Sequence, residues 1–215
     1  MHQIISIKYT RGMLFLSTIA IALLLGVYAS YRYKKPCSAK LHRLIERDNP
    51  FCKIHHAQTI IQNADIQAGM NVLDAGCGPG RLTLPAAKKV GSQGSIVALD
   101  MQDEMLNYVK EKASKDSLNN IEFICEGLGK NTLKTSQFDR ALLVTVLGEI
   151  PDQAAALNEI FSSLKPSGIL SITETVFDPD YCRQSTVRTL AQKAGFKEKA
   201  LYGNWWAYTL NFEKP

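Results

Sequence analysis

The stretch Val72–Leu84, VLDAGCGPGRLTL, decides the fold of this chain. It begins with apolar residues that end a buried strand at Asp74 and continues through Gly76, Gly78 and Gly80 into helical sequence. A strand that turns on glycines into a helix leaves free backbone N–H groups at the helix N-terminus. Glycine is needed there because a side chain would block close approach or a positive φ. We therefore expect the turn to hold the carboxylate, ribose or phosphate of a nucleotide-like ligand.

The composition is typical of a globular protein with one sizeable core. The chain has 215 residues and a formal net charge of +5, an excess too small to indicate nucleic-acid binding by itself. Its five cysteines are widely spaced and include no CxxC pair. Isolated cysteines in odd number argue against a disulfide framework and a structural zinc site, so we expect reduced thiols and no metal.

The apolar stretch Met13–Tyr31 predicts a membrane anchor. Its nineteen residues carry no charge, and as a helix they would span roughly 28 Å, which matches the hydrocarbon core of a bilayer. Arg32, Lys34 and Lys35 follow it, and the positive-inside rule then places the C-terminal side in the cytoplasm. The alternative is a signal peptide cleaved after Ala29, although basic residues follow the apolar run rather than dominate before it.

These features divide the chain into four parts. Residues 1–12 form an N-terminal tail, residues 13–31 the anchor, residues 32–52 a basic juxtamembrane linker and residues 53–215 a folded domain. Between Arg32 and Lys53 the chain carries seven basic residues against two acidic ones. This stretch suits either anionic lipid head groups or a solvated positive flank.

Strand and helix patterns alternate throughout the folded domain. Elements of this length predict a doubly wound α/β fold, with a mostly parallel seven-stranded sheet and helices on both faces. The predicted strands cover residues 71–74, 95–100, 121–125, 138–146, 169–175, 197–202 and 207–212. The predicted helices cover residues 55–64, 81–90, 102–114, 152–164 and 185–194, and Lys165–Gly168 is a predicted turn. Because only a short turn separates the last two strands, we expect the final strand to be antiparallel.

Two acids stand at strand ends, where the ligand of a doubly wound sheet binds. Asp100 ends the second strand, 26 residues after Asp74, and can accept hydrogen bonds from both hydroxyls of a ribose. A nicotinamide dinucleotide is one candidate, but Arg81 occupies the place of the third glycine in that fingerprint. A carboxylate at Asp74 would repel a pyrophosphate and suits a ligand that carries an ammonium group.

Four motifs resemble those of the class I S-adenosylmethionine-dependent methyltransferases, near the small ubiquinone and menaquinone type. They are VLDAGCGPGRLTL, VALDMQDEML, FDRALLVTVLGEIPD and LKPSGILSITE, in the family's order and spacing. The resemblance covers roughly Ala57 to the C-terminus. It implies a Rossmann-like methyltransferase domain with S-adenosylmethionine as cofactor.

The resemblance also implies which residues bind the cofactor. In chain order they are Asp74, Gly76, Cys77, Gly78, Asp100, Met101, Gly127, Leu128 and Thr145. The first four belong to the loop for the methionine part, in which Cys77 is a small packing residue. Asp100 matches the ribose-binding acid, and Met101 packs on the adenine. Gly127 and Leu128 match the turn that contacts the adenine amine, and Thr145 lies beneath the reactive methyl.

Two positions depart from the family pattern. Gly127 stands where relatives usually carry alanine after an acid, so recognition of adenine there rests on the backbone. Gly148 stands where relatives often carry histidine, before Glu149-Ile150-Pro151-Asp152. The loss of that histidine removes one candidate base, and the sequence identifies no catalytic residue. Methyl transfer can proceed without a base, because the sulfonium is already activated and positioning can carry the catalysis.

The sequence leaves the methyl acceptor open. The anchor suggests a lipid-soluble acceptor such as a quinone precursor or a phospholipid, and Glu174 and Tyr181 are the acceptor-side candidates. A second possibility is arsenic methylation on three thiols, Cys52, Cys125 and Cys182. A third is a non-catalytic, membrane-anchored module that binds S-adenosylmethionine as a sensor, favoured only by the two departures.

Aromatic residues outside these motifs are predicted to have structural roles. Tyr202, Trp205, Trp206 and Tyr208 are expected to pack in the core and at the edge of the sheet rather than to form a substrate box. Adjacent histidines at positions 55 and 56 are expected in surface or packing positions rather than at the mouth of the site.

Overall fold

The computed structural model describes residues 46–215, which form a seven-stranded sheet and five α-helices. The strands are β1 (Asn71–Ala75), β2 (Ser95–Asp100), β3 (Ile121–Cys125), β4 (Phe138–Val144), β5 (Leu164–Thr175), β6 (Lys197–Gly203) and β7 (Ala207–Glu213). The helices are α1 (Ala57–Asn63), α2 (Thr83–Val90), α3 (Asp103–Lys115), α4 (Gln153–Ser163) and α5 (Gln184–Lys193), and one turn of 3-10 helix at Lys53–His55 precedes α1. The predicted tail and anchor lie outside the described residues.

The strand order in the sheet is β3-β2-β1-β4-β5-β7-β6. The first five strands are parallel, and β7 pairs antiparallel with both β5 and β6. The expectation of a mostly parallel sheet with an antiparallel last strand is therefore confirmed. The order reverses between β1 and β4, which is the switch point at which doubly wound sheets bind ligands.

Successive residues of the central strands are buried on opposite faces of the sheet. Val72 and Leu142 pack with residues of α1 and α2, whereas Leu73 and Leu143 pack with residues of α4 and α5. Strands buried on both faces have continuous apolar sequence rather than alternating sequence. This is why VLDA and ALLV contain no polar residue apart from Asp74.

The sequence placed two element boundaries incorrectly. The predicted fourth strand reached residue 146, but β4 ends at Val144 because Thr145 has a φ of +51°. The predicted turn Lys165–Gly168 lies within β5 as a bulge, since Phe138 pairs with Leu164 and the next pair joins Arg140 to Ile169. Neither irregularity disturbs the register of the strand ends that carry the site.

Among residues 46–215, no helix is long and apolar enough to cross a bilayer. The predicted anchor at residues 13–31 belongs to the part of the chain outside that range, so it stays a prediction. Cys52, Cys77 and Cys125 are free thiols.

Candidate cofactor-binding site

A cavity of about 540 Å³ opens at the carboxyl ends of β1, β2, β4 and β5. Its size falls within the range of small-molecule sites in proteins, about 300 to 1,000 Å³. All nine residues that the sequence assigned to the cofactor line this cavity. The fold therefore brings together residues that are spread over more than seventy positions of the chain, although their contacts with a cofactor stay predictions.

The glycine turn is held by the neighbouring strand. The backbone N–H groups of Gly76 and Cys77 both donate to the carbonyl of Leu99, at 2.8 and 3.0 Å. Gly76 has a φ of +71°, and a Cβ at this position would lie 2.5 Å from the side chain of Val146. A larger residue at position 76 would therefore be strained and would collide with the segment beneath the cavity.

Asp100 connects the glycine turn to the start of α3. Its side chain is nearly buried and accepts hydrogen bonds from the backbone N–H groups of Gly78 and Gln102, at 2.8 and 2.9 Å. Burial raises the pKa of this carboxyl group above its ordinary value. Each carboxylate oxygen retains a second lone pair for a ligand hydroxyl, so Asp100 both supports the turn and can receive a ribose.

Asp74 is a buried acid at the end of β1. It is 2% exposed, and Oδ2 accepts a hydrogen bond of 2.6 Å from the hydroxyl of Thr83 on α2. Burial raises the pKa of Asp74 from 3.8 to about 6. An ammonium group in the cavity would favour the ionised form of this carboxyl group.

We expect the affinity for S-adenosylmethionine to fall as pH decreases through about 6. Protonation of Asp74 removes its attraction for the ammonium group, so affinity should drop about tenfold between about pH 7.5 and about pH 5. Isothermal titration at both pH values measures this change. Adenosine lacks the amino-acid part and serves as the control, because it reports on Asp100 alone. An equal loss for both ligands would contradict the role of Asp74.

The side of the cavity that is predicted to contact adenine is a loop that a single acid holds in place. Glu159 of α4 is 5% exposed, and its carboxylate accepts backbone hydrogen bonds from Gly129, Lys130, Thr132 and Leu133. The same loop carries Gly127 and Leu128 into the cavity. Nothing lies within 4 Å of a Cβ placed on Gly127, so this departure from the family pattern leaves open space in the adenine region.

Thr145 has an unusual backbone conformation at the cavity floor. Its φ of +51° is rare for a β-branched residue, and its hydroxyl donates to the carbonyl of Val144. Its N–H donates to the carbonyl of Thr173 on β5 at 2.9 Å. Residues with such unfavourable backbone conformations concentrate at ligand sites, where contacts with the surrounding structure hold the backbone in that conformation.

Gly148 allows the loop after β5 to close on the acceptor side. A Cβ at position 148 would overlap the carbonyl oxygen of Asp180. The backbone of this loop therefore occupies the space into which a histidine side chain would project. A histidine at this position, as in the family pattern, would therefore require this loop to move.

Glu174 does not belong to the cavity. Thr175 lines it, and because successive strand residues face opposite sides, Glu174 points into the opposite face of the sheet. There it is 1% exposed, Oε2 accepts from the N–H of Cys182, and burial raises its pKa to about 8. Tyr181 does not line the cavity, and its hydroxyl donates to the carbonyl of Trp205. The expectation that Glu174 faces the acceptor was wrong, whereas that for Tyr181 stays a prediction.

The N-terminal segment closes one side of the cavity through Arg81, the residue in the place of the third glycine. Its guanidinium donates to Asp48 Oδ1 at 2.8 Å and to the carbonyl of His55 at 2.6 Å. His55 lines the cavity, and burial, reinforced by Arg81, lowers its pKa from 6.5 to about 4. A neutral imidazole therefore stands at the mouth, where the sequence predicted a surface or packing position.

The structure adds cavity residues that sequence reasoning missed. They are Arg47, Asn49, Lys130, Ile150, Pro151, Phe177 and Asp178. Most lie in connections between elements, where no periodic pattern shows which side chains face inward. For Ile150 and Pro151, their position directly after β4 in the Glu149–Asp152 motif was the available signal.

The three thiols considered for arsenic chemistry do not form one site. Cys125 ends β3 at one edge of the sheet, whereas Cys52 precedes the 3-10 helix that lies against β5 and β7. Four strand spacings separate β3 from β5, about 19 Å. In residues 46–215, no group of three histidine, cysteine or acidic side chains could hold a metal ion.

The chemistry of the cavity fits S-adenosylmethionine. Asp100 would supply acceptors for the ribose and Asp74 a negative charge for the ammonium group, and open space at Gly78 and Gly127 leaves room for close approach. The volume is sufficient for a ligand of this size.

Comparisons with known proteins agree with this geometry. A family model described as "Methyltransferase domain" matches residues 66–210. The chain is 31% identical over 110 residues to a demethylmenaquinone methyltransferase of Listeria monocytogenes and 32% identical over 119 residues to one of Lactococcus lactis. These matches cover 51% and 55% of this chain and 46% and 47% of the relatives. The chain thus spans about half the length of the curated relatives it matches.

A solved structure shares the whole fold. It is a SAM-dependent methyltransferase from Aquifex aeolicus, with a TM-score of 0.73, 22% identity, and coverage of 83% of this chain and 99% of that one. Identity at this level supports the fold alone, and the family model supports membership independently. The chain therefore belongs to the methyltransferase domain family and has the fold of the S-adenosylmethionine-dependent class I methyltransferases.

Proposed function

We propose that this methyltransferase transfers a methyl group from S-adenosylmethionine to a lipid-soluble acceptor of the quinone-precursor class. The observation that carries the proposal is its similarity to relatives named demethylmenaquinone methyltransferases. The cavity supports it, because its lining includes the apolar groups of Val146, Ile150, Pro151 and Phe177. An apolar wall of this kind suits a planar ring better than a charged metabolite.

Membrane tethering is the second part of the proposal. The charge-free stretch at residues 13–31 is long enough to span a bilayer, and the basic residues after it favour a cytoplasmic domain. A tether would keep the domain at the surface where a lipid-soluble acceptor is concentrated. We therefore propose that the protein acts at the cytoplasmic face of a membrane.

Asp178 is the acid best suited to receive a proton from the acceptor. It lines the cavity, and burial raises its pKa from 3.8 to about 6. Its Oδ1 already accepts from the N–H of Asp180, which orients the carboxylate. When bound, S-adenosylmethionine supplies the electrophilic methyl group, and Asp178 would accept the proton that the acceptor releases.

The decisive experiment follows a labelled methyl group into products. The full chain and a shortened chain beginning at Lys34 are assayed with labelled S-adenosylmethionine on demethylated quinones reduced to the hydroquinone in vesicles, on phospholipids and on soluble metabolites. We expect transfer to the hydroquinone, which is the nucleophilic form of the ring, and faster transfer with the full chain. The Asp178→Asn variant should retain cofactor affinity and lose about tenfold or more in kcat.

Each of the other possible results of this experiment contradicts one part of the proposed function. Equal activity of both chains on a soluble acceptor, with none on lipid, would disprove the tethered function. Cofactor binding without turnover on any acceptor would favour the sensor. An unchanged kcat in the Asp178→Asn variant would exclude this residue as the base.

A further inference from the structure

The exposed large hydrophobic side chains of the described chain lie toward one end of the sheet, where β5 and β6 have their carboxyl ends. Apart from Met101, which lines the cofactor cavity, they are Phe51, Val176, Phe177, Leu201, Tyr202 and Trp205. Val176 and Phe177 follow the carboxyl end of β5. Because β6 is antiparallel to β7 and β7 to β5, the carboxyl end of β6 lies at the same edge as that of β5.

Several of these residues lie close to the cavity: Phe177 lines it, and the N–H of Phe51 donates to the side chain of Asn49, which also lines it. The rings of Phe177 and Trp206 meet edge to face with centroids 6.0 Å apart, and the N–H of Val176 donates to the carbonyl of Trp206. The 3-10 helix that follows Phe51 lies against β5 and β7, and His55 of that helix lines the cavity together with Phe177. We call Phe51, Phe177 and Trp205 the aromatic rim; they are 84%, 60% and 74% exposed.

Exposure of the apolar surface of these rings to water is unfavourable in free energy. The sequence predicted that the tryptophans pack in the core or at the sheet edge, whereas Trp205 projects into solvent beside the mouth of the site. Contiguous exposed aromatic residues mark a surface that meets an apolar partner. Tryptophan and other aromatic rings are enriched at the interface between hydrocarbon and water, because one end of the ring system is apolar and the other is polar.

The sequence before residue 46 points to a lipid bilayer as the partner of the aromatic rim. The described residues begin at the same edge, since Arg47 and Asn49 line the cavity. Only fourteen residues separate Tyr31, the end of the apolar stretch, from Glu46. Such a length reaches at most about 50 Å, and the surrounding basic residues favour anionic head groups.

We propose that the aromatic rim docks the mouth of the site into the head-group region of the bilayer that holds the tether. This inference rests on the proposed function and specifies how the acceptor enters, directly from the lipid through the mouth. The occupant of the rim is the lipid surface, not another protein. The two tryptophans of the chain, Trp205 and Trp206, both lie at this edge and serve as natural reporters.

The test is fluorescence quenching of the full chain in vesicles of phosphatidylcholine and phosphatidylglycerol with brominated acyl chains. A Trp206→Phe variant isolates Trp205. Its emission should shift to the blue and be quenched, and a further Phe51→Ser change should reduce quenching at least about twofold while the chain still sediments with the vesicles. Gln93→Ser is the matched control, because Gln93 is exposed before β2 at the opposite edge.

Other results would overturn the inference. Unquenched Trp205 on sedimented vesicles, or a chain that does not sediment, excludes rim docking. A dimer in solution that the Phe51→Ser variant abolishes, without quenching, would assign the rim to a second copy of the chain. Methyl transfer measured on the same vesicles separates the two claims. Transfer without quenching disproves the rim alone, and quenching without transfer disproves the proposed function alone.

Discussion

Replacing Asp100 with alanine should weaken S-adenosylmethionine binding about a hundredfold or more. Hydrogen bonds to a charged acceptor contribute about 1.5 to 3 kcal/mol each, and two ribose hydroxyls would lose theirs. The variant also removes the acceptor for the N–H of Gly78, so the glycine turn loses a restraint before any ligand arrives. Isothermal titration with the cofactor measures the loss.

Asp103→Ala is the matched control for this variant. Asp103 carries the same charge three residues later, but it is exposed on α3 and contacts Asn107 and Lys110 rather than the cavity. Its removal should change affinity by less than about twofold, because exposed charges contribute little. If Asp100→Ala binds the cofactor as tightly as the control does, the acid only supports the start of α3 and does not hold the ribose.

Removal of Glu159 should destabilise the fold and loosen the adenine side together. Four backbone N–H groups lose a charged acceptor in Glu159→Ala, and we expect the free energy of unfolding to fall by about 2 to 4 kcal/mol. Because the same loop presents Gly127 and Leu128 to the cavity, cofactor affinity should fall about tenfold even where the variant is fully folded. Denaturant titration and calorimetry measure the two effects separately.

The Glu159→Gln variant separates the hydrogen bonds from the packing. Glutamine keeps the volume but turns an N–H donor toward backbone donors, so its loss of stability should approach that of alanine. Glu111→Ala, an exposed acid on α3, controls for the lost charge. A Glu159→Gln variant that unfolds at the same denaturant concentration as the natural chain would show that side-chain volume holds the loop.

Local pattern was sufficient for the architecture and for the nine residues assigned to the cofactor. Val72–Leu84 and the acid at the end of β2 predicted a strand-turn-helix cradle, because glycine spacing and apolar runs are local properties of the chain. The nine residues assigned to the cofactor all line one cavity. They were accessible to sequence reasoning because the carboxyl ends of parallel strands meet at the same edge of a sheet.

Contacts between segments distant in the chain could not be predicted from the sequence in this way. The sequence around Glu159 does not indicate that its carboxylate accepts hydrogen bonds from a loop nearly thirty residues earlier in the chain. The sequence around Gly148 does not indicate that the backbone of Asp180 occupies the space where a side chain would lie. The side of β5 on which Glu174 lies depended on strand register, and one residue reverses the face. Such features depend on which distant segments pack together, and the local spacing of residue types along the chain does not specify this packing.

The sequence alone determined the sheet, the glycine cradle, the two acids and the family resemblance, because each of these depends on residue type at a fixed local spacing. Only the tertiary structure decided that Asp178 rather than Glu174 faces the cavity, how Glu159 holds the loop at Gly129–Leu133, and where the exposed aromatic rings lie. Those properties arise when distant segments exclude water from one another, and the resulting burial sets both the pKa of Asp74 and the surface that remains exposed.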